Sequence, residues 1–162
     1  YWNISAEKLL ERLKSEADKW WNAQSEGLNR TGLSRHEVIV LASIVEEETN
    51  KNDEKPIIAG VYLNRLRKDM LLQADPTVKF AVGDFTIRRV MYKHLQTDSP
   101  YNTYMYKGLP PGPICIPSIA SIDAVLENKQ TDYMFFCAKE DFSGYHNFAG
   151  KRSFFPVGYA NT

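Results

Sequence analysis

The sequence predicts an α+β chain, a helical bundle packed with a small antiparallel β-sheet that comes late in the chain. Three observations predict it. Apolar residues recur at helical spacing through the first half, a Pro- and Gly-dense stretch from Ser99 to Pro117 then forbids helix, and Tyr133 to Ala138 forms a strand-like apolar run ahead of a Ser143-Gly144 turn. A length of 162 residues suits one globular unit with a sizeable core.

Each element follows from local signals. Ser5 can cap a packing helix that carries Leu9, Leu10, Leu13, Ala17, Trp20 and Trp21 at the helical period and ends before Gly27-Leu28-Asn29. Ser34-Arg35-His36-Glu37 has the capping-box form and starts a second helix, which a polar turn, Asn50 to Asp53, follows. A third is entered near Pro56, with Ile58, Val61, Tyr62 and Leu66 on one face. Asp75-Pro76 reads as N-cap and first helical residue of a short helix stopped by Gly83, and Thr86 opens another through Val90, Met91 and Leu95. Ser118 caps a last helix with Ile119, Ile122, Val125 and Leu126 inward, and Tyr145 to Phe148 returns as a partner to the strand-like run.

Composition narrows the chemistry. Twenty basic residues balance twenty acidic ones, which removes the electrostatic footprint of a non-specific nucleic-acid binder and favours a neutral or zwitterionic ligand. His36, His94 and His146 lack metal-ligand spacing, no cofactor fingerprint is present, and Cys115 and Cys137 read as structural thiols. No run is long enough to span a membrane and no signal peptide opens the chain, so any membrane attachment requires an anchor outside it.

The most informative stretch is Leu41-Ala-Ser-Ile-Val-Glu-Glu-Glu-Thr49, which puts carboxylates at the end of an apolar helical run. A carboxyl held against apolar surface keeps its proton near neutral pH and can deliver it to a leaving oxygen, although such a run is more commonly a solvated face. With the register set by Ser34, Glu46 lies on one flank of the apolar sector and Glu48 on the other, while Glu47 falls on the polar side. The register leaves Glu46 and Glu48 as alternatives, on opposite flanks and not as a facing pair. Asp75 is the best candidate for a second carboxylate, against the simpler reading of a helix cap.

Five segments occur in the order found in the YceG-like family, the MltG-type endolytic murein transglycosylases of bacteria. They are Leu41 to Thr49, Ala59-Gly-Val-Tyr-Leu-Asn-Arg-Leu66, Leu72-Gln-Ala-Asp-Pro-Thr-Val78, Tyr101-Asn-Thr-Tyr104 and Gly108-Leu-Pro-Pro-Gly-Pro-Ile114, and the chain resembles that family from about Ser34 to Phe148. The resemblance implies a single catalytic domain over residues 1–162, with room for a lysozyme-like cleft, that cuts peptidoglycan glycan strands internally between N-acetylmuramic acid and N-acetylglucosamine. It leaves 1,6-anhydro ends without consuming water. It implies Glu46 as acid and then base, and it marks Asn64, Gln73, Asp75, Thr77, Tyr101, Asn102, Thr103 and Tyr104 as substrate-binding or bracing residues, each weighed against a cap, a turn or a buried hydrogen bond.

The family also implies a place at the outer face of the cytoplasmic membrane, with cell-wall synthases as partners. Its membrane anchor and LysM-like region have no counterpart in this chain, and residues 149–162 form an atypical tail. Two other readings fit the same residues: a glycan hydrolase using Glu46 with Asp75, and a non-catalytic glycan-binding scaffold.

Overall fold

The computed structural model describes residues 4–151. In chain order the elements are α1 (Ala6–Ala23), α2 (Ser25–Thr31), α3 (Arg35–Glu48), α4 (Lys55–Arg67), α5 (Asp75–Val82), α6 (Tyr92–Leu95), α7 (Ile119–Glu127), β1 (Phe135–Ala138) and β2 (His146–Ala149). The expected α+β arrangement is therefore present, mostly helical with one two-stranded antiparallel sheet.

Helix α3 is the centre of the molecule. Its start is the capping box read from the sequence, Ser34 accepting from the Glu37 amide while Glu37 accepts from the Ser34 amide. Val38, Leu41, Ala42, Ile44 and Val45 are all fully buried, so the helix is covered on nearly every side rather than on one stripe. Ile58, Ala59, Tyr62 and Leu63 of α4 and Ile122, Val125 and Leu126 of α7 close around it. At Gly60 the irregular segment leaving α7 crosses α4 so closely that an added Cβ would lie 2.5 Å from the Lys129 carbonyl oxygen. Gly60→Ala is accordingly expected to destabilise the fold by about 1–3 kcal/mol, read as a lower urea midpoint with unchanged slope.

Several local expectations are corrected. Gly27 does not break a helix but sits inside α2, where an added Cβ would meet Leu126 Cβ at 3.0 Å. Helix α1 is anchored mainly by Trp21, and Leu9, Leu10 and Leu13 are exposed rather than packed inward. The cap of α5 is Ala74, with Asp75 and Pro76 as its first two helical residues, so the Asp75 carboxylate is not spent on a cap. No helix starts at Thr86: Asp84 captures the Thr86 amide and hydroxyl in a local turn, and the β-branched Thr86, Ile87 and Val90 give helix little support. Only α6 forms there. The tail from residue 152 onward lies outside the described residues.

The hairpin is pinned to the helices by side chains. Phe136 pairs with Phe148 and Ala138 with His146 across the two strands. Buried Glu54, just ahead of α4, accepts from the His146 amide and faces its Nδ1, both at 2.8 Å, and Arg65 Nε donates to the Met134 carbonyl at 2.7 Å. The ring of Phe136 meets that of Tyr62 edge-on at 5.9 Å.

Candidate active site

The two acids left open by the helical register occupy opposite electrostatic settings. Glu46 points toward the start of α7. Its Oε2 accepts from the Ser118 amide (3.2 Å), the Ser118 hydroxyl (2.6 Å), the Ser121 hydroxyl (2.5 Å) and Lys55 Nζ (3.2 Å). Desolvation resists ionisation here, but the Ser118 and Ser121 hydroxyls, the Ser118 amide and the lysine outweigh it and pull the carboxyl down to about 2. An anion at a helix N-terminus with serine and lysine donors is a fastening. In this arrangement Glu46 is a carboxylate tied to the start of α7, and of the two acids left open by the register Glu48 is the one whose carboxyl is raised.

The fastening has a stability consequence whose sign is fixed. A depressed folded pKa gives stabilisation that is complete above the ordinary glutamate value and is lost as pH falls toward about 2. Glu46→Gln should therefore cost about 1–2 kcal/mol at pH 7, after allowing for solvent screening of a partly exposed side chain. In urea titrations the gap between variant and wild type should narrow below pH 4.

Glu48 ends α3 on the other flank. Burial is the main influence on its carboxyl and raises it to about 7 against the hydrogen bond from Tyr62; the Asp75 charge adds to the rise, and Lys79 and Arg65 oppose it. Tyr62, fully buried, donates from its hydroxyl to Glu48 Oε1 at 2.5 Å. The residue as a whole keeps some exposed surface even though its carboxyl is packed among protein groups. Glu47, between the two, is exposed.

The remaining expected site residues divide into two sets. Asp75 Oδ1 accepts from the Tyr104 hydroxyl at 2.6 Å, and both lie on segments tied together through Thr103. Gln73 is exposed in a left-handed backbone conformation (φ 52°), held by its amide on the Thr103 carbonyl, and its side chain is free to meet a ligand. Tyr101 is half-buried against Phe80, with ring centroids 4.6 Å apart. The others are internal braces. Thr77 and Thr103 are buried and share a 2.8 Å hydroxyl contact, and Thr103 Oγ1 also accepts from the Ala74 amide. Asn102, fully buried, donates to the Leu95 and Thr97 carbonyls. Asn64 donates to the Thr131 and Tyr133 carbonyls.

Sequence reasoning missed Tyr62, Arg65, Lys55, Ser118 and Ser121. Tyr62 carried a usable signal: a tyrosine on a buried helix face must satisfy its hydroxyl, and a carboxylate is the strongest acceptor within reach. Nothing in the helical period of α3 foretells that α7, 72 residues on, delivers its first turn to Glu46. The Pro-rich segment also borders a cavity of about 300 Å³, formed with Leu33, His36, Val40 and Leu66, but none of the acids of α3's C-terminal end lines it.

The family model of the YceG-like family matches residues 1–153. An endolytic murein transglycosylase of Bacillus subtilis (strain 168) is 38% identical over 139 residues, covering 86% of this chain and 38% of that protein. One of Streptococcus pneumoniae serotype 2 is 31% identical over 140 residues, covering 84% of this chain and 25% of that protein. The crystal structure of a yceG-like protein from Listeria monocytogenes superimposes with a TM-score of 0.78 at 36% identity, covering 93% of this chain and 48% of that one. The chain thus spans well under half the length of the curated relatives it matches. With five ordered motifs, a family model over nearly the whole sequence and a matching fold, this chain belongs to the YceG-like family.

Proposed function

We propose that residues 1–162 form one catalytic domain of an endolytic lytic transglycosylase, and that Glu48 rather than Glu46 is its acid and base. The observation that carries this reading is the Glu48 carboxyl at the end of α3, raised to about 7 by burial and held at Oε1 by the Tyr62 hydroxyl. Relatives named endolytic murein transglycosylase support peptidoglycan as the substrate.

A single acid suffices for this reaction because the sugar brings its own nucleophile. Glu48 Oε2 donates its proton to the oxygen linking N-acetylmuramic acid to N-acetylglucosamine, and the C1–O bond breaks. The C6 hydroxyl of the same muramic sugar closes on C1, and its proton passes to the Glu48 carboxylate, which restores the acid. No water is consumed. An attacker within the same sugar reaches an effective molarity on the order of 10⁵ M or more when well oriented, enough to compete with solvent. The Tyr62 hydrogen bond fixes the carboxyl rotamer and eases the charge that Glu48 bears between its two roles.

Exposed Gln73 and half-buried Tyr101 are the side chains proposed to touch the strand, while Thr77, Asn102 and Thr103 hold the backbone that presents them and Asn64 ties α4 to the segment ahead of β1. The same reading places the whole protein in the cell envelope, at the outer face of the cytoplasmic membrane beside the synthases that make its substrate. Mass spectrometry of peptidoglycan strands digested by the full-length protein tests the reaction. Anhydro-muramic ends, lighter than reducing ends by one water, are expected, whereas reducing ends alone would make the protein a hydrolase.

A further inference from the structure

Between α5 and the end of α6 the chain gathers positive charge. From Asp84 to Lys93 three cations, Arg88, Arg89 and Lys93, stand against one acid, in a chain whose twenty basic and twenty acidic residues balance. All three cations are exposed, and none makes an ion pair among the described residues. The acid, Asp84, is occupied by the Thr86 amide and hydroxyl, and Asp98 beyond α6 takes the Tyr106 hydroxyl. Phe85, Met91 and Tyr92 are interleaved with the cations and are 73%, 53% and 77% exposed. Open apolar side chains among unpaired like charges mark a surface that meets something else, and the charge says that it is anionic. The lobe is also tied to the edge that bears the proposed strand contacts. Asn102, next to Tyr101, donates from its side-chain amide to the Leu95 and Thr97 carbonyls, and the Thr103 carbonyl takes the Gln73 amide. Phe80 lies between Phe85 and Tyr101, its ring centre 6.3 Å from the one and 4.6 Å from the other. A row of three rings thus leads from Tyr101 to the lobe.

We propose that Phe85, Arg88, Arg89 and Lys93 form a subsite for the stem peptide borne by a muramic sugar of the strand, the cations meeting peptide carboxylates while Phe85 packs on a sugar face. The inference rests on the reading of this chain as a peptidoglycan transglycosylase, and it names the form of the polymer that the site selects. The hydroxyl and acetamido groups of the sugars are neutral, whereas a stem peptide carries more carboxylates than amines. Two adjacent guanidinium groups suit such a ligand, because each planar fork can take a carboxylate through two parallel hydrogen bonds. At an exposed rim each pair adds little affinity, but it decides which strand is taken and in what register it lies. An anionic lipid surface would meet the same cations. The tether to the Tyr101 edge and the ring row favour the strand, since they place the lobe beside the residues proposed to touch it.

The test compares kcat/KM of the full-length protein on glycan strands with free peptide carboxyls and on the same strands with those carboxyls converted to amides. Wild type should cleave the free form about fivefold better, chiefly through KM, and added salt should shrink that preference. Arg88→Gln with Arg89→Gln should remove most of the preference, and Arg88→Lys with Arg89→Lys should restore part of it. Phe85→Ala should raise KM on both forms alike, because both present the same sugars. These substitutions fall on exposed side chains, and unchanged thermal melts check that the fold is kept. Affinities of fluorescent strands for the Glu48→Gln protein and for its double-Gln derivative give the same ratios without turnover. Equal KM and equal affinity for the two strand forms, or a preference that the Gln pair leaves intact, would overturn the proposal. So would Gln-pair loss of sedimentation with phosphatidylglycerol vesicles without any change in strand preference, which would make the lobe a contact for an anionic membrane. Reducing ends, or no cleavage, beside an intact preference in binding would support the subsite and fault the reading of the reaction instead.

Discussion

Glu48→Gln is expected to lower strand cleavage by on the order of 10³-fold or more while leaving the protein folded and, above neutral pH, more stable than wild type. The two effects have one cause. A carboxyl raised to about 7 by burial binds its proton more tightly in the folded chain than in the unfolded one. Folding is therefore opposed by ionisation, with a cost that begins above the ordinary glutamate pKa and is complete above about 7. Glutamine keeps an oxygen for the Tyr62 hydroxyl and cannot ionise. The variant should gain about 1–3 kcal/mol at pH 8 and almost nothing at pH 4.5, or about 2–4 °C in melting temperature per kcal/mol for a chain of this size.

Glu46→Gln should show the reverse: a less stable protein that still cleaves, because its carboxylate fastens α3 to α7 and holds no proton to transfer. Turnover assays and thermal melts of both variants at pH 5 and pH 8 separate the roles. A folded Glu46→Gln protein without activity, beside an active Glu48→Gln protein, would return the acid role to Glu46.

That contrast also marks how far the sequence could be read. Everything local to α3 was legible: the capping box at Ser34, the apolar sector and the solvent-facing Glu47. The choice between Glu46 and Glu48 was not, because both flank the same sector and differ only in what distant elements bring to them. Ser118 and Ser121 reach one and Tyr62 the other, and no periodicity encodes those meetings. The segments around Gln73 and Tyr101 were legible as motifs, but the part each residue plays in the fold was not. A threonine that binds sugar and one that ties Ala74 to a neighbouring loop look alike in a sequence, and burial alone separates them. Where propensity was weak the reading failed, as at Thr86, whose partner Asp84 offered the backbone a turn in place of a helix.

Arg65 is expected to be among the least replaceable side chains of the molecule. It is 7% exposed, and its guanidinium donates to the Met134 carbonyl at 2.7 Å, to the Leu72 carbonyl at 2.6 Å and more weakly to Leu71, while lying 5.1 Å from the Phe135 ring centre. One planar cation thereby joins α4, the hairpin and the segment leading to Asp75. Arg65→Met strips the carbonyls of buried partners and should cost about 3–5 kcal/mol. Arg65→Lys should recover only part of that, since one ammonium does not match a fork spread over carbonyls on two segments. Hydrogen exchange should quicken first in the amides of β1 and β2 and around Leu72, ahead of the α3 core. The charge adds a second readout. Arg65 opposes the proton on Glu48, so the Arg65→Met protein that remains folded should carry its alkaline limb to higher pH. An unmoved limb in a folded Arg65→Met protein would mean that the guanidinium serves the fold and not the Glu48 proton.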